Sequence, residues 1–108
     1  MDRKELAKQL LPFLSACKRA GYPLQEVRLE EAFPGVASTS FDVKIWAEWL
    51  AELGSSSKAL DILIDILWET VEPETRRYIF ALHLYDTQEK LHRLSREVHS
   101  EDFAEIAA

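Results

Sequence analysis

The sequence has few of the residues that mark a disulfide-linked, membrane or phosphate-binding protein. A single cysteine, Cys17, cannot form a disulfide within the chain, which predicts a reduced, cytoplasmic setting. The three glycines are too far apart for a glycine-rich phosphate loop. No apolar run approaches the ~20 residues that span a bilayer, so no membrane association is predicted. The N-terminal residues mix charges with apolar residues, unlike a signal peptide.

Histidines are also scarce, and their spacing indicates neither a metal nor a cofactor. On one helix, His92 and His99 would lie about 10 Å apart, too far to share an ion. His83 stands in an apolar run and is predicted to be structural. No catalytic residue is predicted. An enzyme that uses His83 with a carboxylate is the third of our function hypotheses.

The chain has more acidic than basic residues, and this excess is unevenly distributed along the sequence. The net charge is −6. Residues 1–29 carry +3, residues 30–75 carry −8, residues 76–96 carry +3 and residues 97–108 carry −4. One interpretation is solubility; the other is an acidic surface for a basic partner. Direct nucleic-acid binding is not expected, because it usually requires a continuous basic face.

The stretch from Lys58 to Thr70 predicts the central element. Its apolar residues are interrupted at every fourth position by Asp61, Asp65 and Glu69. This spacing fits a helix and no strand. The helix is otherwise apolar almost all round, so we expect it to be nearly surrounded by protein. The three carboxylates form a narrow acidic row, which is either solvated, paired with neighbouring basic residues, or a docking edge for a basic partner.

The N-terminal part predicts a helix from Asp2 to Ala20, followed by Gly21 as a C-terminal signal. Pro12 is the irregularity, since a proline inside a helix costs ~3 kcal/mol. The helix therefore either kinks there or gives way to a second segment with Pro12 in its first turn.

Residues 24–53 support two interpretations. Apolar and polar residues alternate on either side of a turn-rich joint, which indicates a β-hairpin. The inward-facing residues would be Val27, Leu29, Phe33, Phe41, Val43, Ile45 and Ala47. The rival is a helix from Val43 to Leu53. We favour a strand from about Phe41 to Trp49.

The C-terminal part also has two interpretations. Arg77 to Tyr85 is dense in apolar residues and predicts a strand, followed by a helix that carries Leu91, Leu94 and Val98. The rival is one helix from Glu74 to His99. Residues 99–108 add a short helix or fray.

Together these elements predict one α+β domain over residues 1–108. Its order is an N-terminal helix, a β-hairpin, a central buried helix, a third strand and a C-terminal helix. The first and central helices would cover one face of a three-stranded sheet, with a crossover between the last two strands. The alternative is an all-α bundle of about five helices, which the low glycine content favours.

Strand alternation places Trp46 and Lys44 on the sheet face opposite the core, and His83 and Tyr85 on the same face of the third strand. Tryptophan and tyrosine are enriched at binding hot spots. We therefore predict a partner-binding site with these members: Trp46, Lys44, Tyr85, Asp61, Asp65 and Glu69. The alternative is that Trp46 belongs to the core.

The leading function hypothesis is a small acidic protein-binding module, such as an inhibitor, immunity or antitoxin-type protein, that masks a basic partner. The runner-up is a self-associating structural or regulatory module, a homodimer in its simplest form. Nothing in the sequence names the partner.

Overall fold

The computed structural model describes residues 3–33 and 40–94, except the side chain of Leu94. The elements in chain order are α1 (Arg3–Gln9), α2 (Leu11–Arg19), β1 (Glu26–Glu31), β2 (Phe41–Trp46), α3 (Glu48–Leu53), α4 (Ser56–Thr70), α5 (Pro73–Arg76), β3 (Ile79–Tyr85) and α6 (Gln88–Leu94). The α+β class and the predicted order of elements are confirmed. None of the described helices is both long enough and apolar enough to cross a membrane.

Pro12 divides the N-terminal helix in two. It lies in the first turn of α2, where the missing N–H costs no hydrogen bond. The second of the two predicted outcomes is therefore correct. Gly21 follows α2 with a φ of 89°, a left-handed conformation that favours glycine.

The described strands form one sheet in the order β1-β2-β3. β1 pairs antiparallel with β2, and β2 pairs parallel with β3. Every second residue of a strand points to the same face. The inward residues Val27, Leu29, Phe41, Val43 and Ile45 are all buried, and they join α1, α2 and α4 in the main core. We call this side of the sheet the core face.

The strand that starts at Phe41 is shorter than predicted. β2 ends at Trp46, Ala47 is still extended at φ −147° and ψ 141°, and the helix α3 follows. The favoured strand and the rival helix are thus each correct for part of the segment. Phe33 lies beyond the end of β1 and is 45% exposed, so its predicted inward position is wrong.

The segment after α4 contains a strand and then a helix, so the single long helix from Glu74 is excluded. β3 runs parallel to β2 because the crossover through α3, α4 and α5 returns the chain to the same end of the sheet. α6 begins at Gln88. The predictions for Val98 and for residues 99–108 lie outside the described residues.

Side-chain oxygens cap the starts of α4 and α6. In α4, Ser55 Oγ accepts a hydrogen bond from the Lys58 N–H at 3.3 Å. In α6, Thr87 Oγ1 accepts from the Lys90 N–H at 3.2 Å, and Asp86 pairs with the Lys90 ammonium at 2.8 Å.

Candidate functional site

The central helix α4 is buried on one side and open on the other. Ala59, Leu63 and Leu67 are buried against the sheet and α2. One apolar row, spaced four residues apart, is left incompletely covered. Its members are Leu60 and Ile64, which are partly exposed, and Trp68, which is 61% exposed. The expectation that protein nearly surrounds this helix therefore fails along this row.

The acidic row lies beside this apolar row. Asp61, Asp65 and Glu69 each follow one member of the apolar row, so the two rows are ~100° apart around the helix. All three side chains are exposed. Among the described residues no cation lies within ion-pair distance of them. Of the three predicted states, pairing with neighbouring basic residues is not observed.

The apolar row and β3 together enclose an open apolar surface, which we call the α4–β3 flank. It comprises Leu60, Ile64 and Trp68 from α4 and Phe80, Leu82 and Leu84 from β3. One groove, of about 480 Å³, lies at the Trp68 end; another, of about 310 Å³, lies at the Leu60 end. Leu82 lines both grooves, so they adjoin along β3.

Two contacts involve the exposed aromatic rings at the Trp68 end of the flank. The Arg76 guanidinium lies over the Trp68 ring, with its Cζ 3.3 Å from the ring centroid. Phe80 is 59% exposed and meets Phe33 edge to face, with centroids 4.9 Å apart. A cation over an indole is worth ~0.5–1 kcal/mol at an exposed site, so the Arg76 contact favours the observed position of Trp68 by a modest amount.

The outer edge of β3 lacks the features that usually protect an edge strand. Strands at sheet edges tend to carry lysine, proline or other charged residues that prevent pairing with another chain. β3 reads IFALHLY, with no lysine, arginine, carboxylate or proline. The opposite edge, β1, reads EVRLEE and carries four charged residues. Among the described strands, none pairs with the outer side of β3.

The second face of the sheet carries the rest of the predicted site. The register places Trp46 beside Tyr85, and Lys44 beside His83, as strand alternation predicted. Trp46 and Tyr85 are partly exposed, so neither is a fully buried core residue. Lys44, however, is only 7% exposed and pairs with Glu30 at 2.9 Å. It therefore offers a partner little contact area.

Helix α6 packs on this second face, which is therefore not an open surface. Leu91 on α6 is fully buried, yet it is not part of the main core. Gln88 and His92 on the same helix contact the Glu26 carboxylate at 2.9 Å each. The predicted site is thus divided between two places: the acidic row lies beside the α4–β3 flank, and Trp46, Lys44 and Tyr85 lie on the α6 side. A binding role for Trp46 and Tyr85 stays a prediction.

The Glu26 carboxylate on β1 is contacted by two side chains of α6, Gln88 and His92. Partial burial raises the pKa of Glu26, but hydrogen bonds from Gln88, Arg28 and His92, together with the Arg28 charge, outweigh it. The net pKa of Glu26 lies below its usual value. An ionised Glu26 therefore helps to hold α6 against the second face.

The described residues with catalytic or metal-binding side chains do not gather in a single cluster. His83 Nε2 lies 3.5 Å from Asp42 Oδ1, and the His83 side chain is 43% exposed. Cys17 is fully buried, and burial raises its pKa to about 12, so it is not a nucleophile near neutral pH. Within residues 3–33 and 40–94 no cluster of three or more metal-ligating side chains occurs.

Trp68 and Phe80, the two most exposed aromatic side chains in the described part of the chain, are not among the site residues predicted from the sequence. A signal was present, since Leu60, Ile64 and Trp68 repeat every fourth residue directly beside the acidic row. The apolar pattern alone predicts burial, and it does not say whether this protein or another molecule covers the row. No protein-family model, curated protein or solved structure matches this chain.

Proposed function

We propose that this protein is a binding module that masks a basic protein partner, and that it holds this partner on the α4–β3 flank. The observation that carries the proposal is the incompletely covered apolar row of α4, which lies beside an acidic row that pairs with no cation in the described part of the chain. A contiguous exposed apolar patch with a charged border is one mark of an interaction site. A partner that covers the flank and places cations near Asp61, Asp65 and Glu69 would satisfy both rows.

The aromatic rings and the carboxylates of the flank would have different roles in binding. Trp68 and Phe80 would supply most of the affinity, because large rings that lose water on binding dominate interface energies. The carboxylates would speed association with a basic surface and disfavour acidic competitors. Arg76 and Arg77 also line the Trp68 end, and the exposed Glu72 and Glu74 bring the formal charge of residues 72–77 to zero.

A chain of this size and charge is best suited to binding that masks the partner's surface. A small acidic domain can cover a cationic surface on its partner, as an inhibitor or antitoxin does, without any chemistry of its own. Self-association is the second candidate, and the unprotected edge of β3 favours it. Pairing two flanks would, however, bring two acidic rows together in molecules that each carry a charge of −6.

The proposal is tested by asking which protein contacts depend on the flank. Wild-type protein, Trp68→Ala, and the triple variant Asp61→Asn/Asp65→Asn/Glu69→Gln would be immobilised in parallel. A matched triple variant, Glu48→Gln/Glu52→Gln/Glu89→Gln, removes the same charge from exposed carboxylates elsewhere. Retained proteins would be quantified by mass spectrometry, and direct affinities measured with each purified candidate.

We expect the wild type and the matched variant to retain a basic protein. Both flank variants, Trp68→Ala and the acidic-row triple variant, should lose it. Affinity for the purified partner should fall by ~2 kcal/mol or more with Trp68→Ala. Association with the acidic-row variant should be slower, and this difference should shrink as salt rises. If the retained proteins are acidic, or if no interaction distinguishes the flank variants from the matched variant, the proposal is wrong.

A further inference from the structure

We infer that the partner binds as an extended segment that adds a fourth strand to the outer edge of β3, with lysine or arginine at alternate positions facing α4. This inference rests on the proposed function and specifies the form of the partner. It follows from three features of residues 3–33 and 40–94: the β3 edge without charged or proline residues, the incompletely covered apolar row, and the acidic row that pairs with no cation there.

The first step concerns the backbone. A strand at the edge of a sheet presents unpaired N–H and C=O groups that another strand can match. β3 presents seven residues without a charged or proline gatekeeper, whereas β1 at the other edge carries four charged residues. The β3 edge is therefore the side of the sheet at which a further strand can be added.

The second step concerns length and spacing. The 15 residues of α4 span about 22 Å, and the seven residues of β3 span about 23 Å. Alternate side chains of an added strand would be spaced by ~6.7 Å, close to the ~6 Å between every fourth residue of a helix. The spacing therefore matches three alternate side chains to Leu60, Ile64 and Trp68 in turn, and at Trp68 the added side chain would lie beside the Arg76 guanidinium that covers one face of the ring.

The third step identifies those side chains. A residue that packs on the apolar row and ends near Asp61, Asp65 or Glu69 needs an apolar stem and a positive head. Lysine and arginine have this construction, since their methylene stems cover apolar surface while the charge stays in water. Residues on the other side of the added strand face away from α4, where β-branched residues favour the extended form.

Charge also favours a basic partner over two other occupants of the α4–β3 flank, a second copy of this protein and a segment of this chain. A second copy would bring another acidic row, not a basic one. Within this chain, residues 34–39 carry no charge, and residues 95–108 carry four carboxylates and a single arginine, Arg96. Neither stretch carries the three cations that would match Asp61, Asp65 and Glu69.

The experiment uses a capped heptapeptide of alternating valine and lysine, Val-Lys-Val-Lys-Val-Lys-Val, and the full-length protein. Binding would be followed by NMR titration, and amide hydrogen exchange would be measured with and without saturating peptide. One control peptide replaces the third residue, a valine, with proline and keeps the charge. A second control replaces each lysine with glutamate and keeps the pattern.

We expect the lysine peptide to slow exchange at alternate amides of β3 while β1 amides are unaffected. The proline peptide should bind at least about tenfold more weakly, because it loses a donor and the extended geometry. The glutamate peptide should be weaker still. Loss of binding with Trp68→Ala would agree with the stated position of the lysine stems.

Several outcomes would overturn the inference. If the lysine peptide binds but leaves β3 exchange unchanged, or if the proline peptide binds equally well, the strand is not added, although a flank-dependent basic partner would still support the proposed function. Absence of binding at millimolar peptide also refutes it. Protection of β3 that rises with protein concentration alone would show a second copy on this edge, and protection already present in the free monomer would show that the chain covers it.

Discussion

Leu63→Ala tests the orientation of α4, on which the position of the flank depends. Leu63 is fully buried in the main core. The change removes three side-chain carbons, worth ~2.4 kcal/mol in transfer at about 0.8 kcal/mol for each buried carbon. The cavity left in a packed core adds to this, so the total should be ~3–4 kcal/mol, within the range measured for such substitutions.

The magnitude is large enough to measure by thermal unfolding. For a domain of about this size, 1 kcal/mol corresponds to at least ~4 °C in Tm, so Leu63→Ala should lower Tm by ~12 °C or more. The matched control is Asp65→Asn, two positions along the same helix. Asp65 is exposed and lies between two like charges, so its neutralisation should change stability by less than ~0.5 kcal/mol and in the stabilising direction.

Far-UV circular dichroism during heating would follow both variants, with urea unfolding as a second measure of the free energy. The reasoning is refuted if Leu63→Ala leaves Tm within a degree or two of the wild type while Asp65→Asn lowers it strongly. In that case α4 would face the other way, and the apolar row beside β3 would belong to the core.

Three further predictions concern the buried groups. Because the pKa of Glu26 is lower in the folded state, its stabilising contribution is present above the unfolded pKa of about 4.5 and is lost as pH falls through the folded pKa. The unfolding free energy should therefore fall less with decreasing pH in Glu26→Gln than in the wild type over that range. Burial raises the pKa of Cys17 to about 12, so a thiol reagent at pH 8 should leave Cys17 unmodified in the native protein and modify it rapidly once the protein is unfolded in guanidinium, whereas equal rates would contradict its burial. Lys44→Met should lower the unfolding free energy by ~3–5 kcal/mol, because it leaves Glu30 buried without that partner. Adding Glu30→Leu should recover part of this loss in a double-mutant cycle. Additive losses would mean that the two charges do not interact.

The predictable parts of the fold are those where one local rule decides. The fourfold spacing of Asp61, Asp65 and Glu69 has no strand interpretation, so α4 could be assigned from the sequence. The parity of β2 also follows from alternation, which places Trp46 opposite Ile45 and Val43. Pro12 permits a helix start and disfavours a helix interior, which explains the division between α1 and α2.

The boundary after Trp46 could not be predicted, because two patterns overlap there. Alternation continues through Ala47, and helical spacing begins before Trp49. The structure satisfies both in succession, and a tertiary contact marks the change: the Trp49 Nε1–H donates to the Pro23 carbonyl at 3.0 Å. Such a contact between residues distant in sequence leaves no local signal.

The candidate site was predictable in chemistry but not in position. The acidic row and the general role of aromatic residues follow from composition and spacing. The exposure of Trp68 does not, because an apolar row looks the same whether the protein or its partner covers it. Likewise, α6 covers the second sheet face by burying Leu91 and by contacting Glu26 on β1. Strand alternation alone predicts that this face is open.

The central claim is that the flank selects a basic partner, and the most direct measurement is a ratio of two affinities. Dissociation constants of the lysine–valine and glutamate–valine heptapeptides would be determined at low salt for the wild type and for Asp61→Asn/Asp65→Asn/Glu69→Gln. We predict that the wild type prefers the lysine peptide by at least about tenfold, which corresponds to ~1.4 kcal/mol, and that the triple variant loses most of this preference. Equal affinities in the wild type, or a preference that survives removal of the acidic row, would contradict the account.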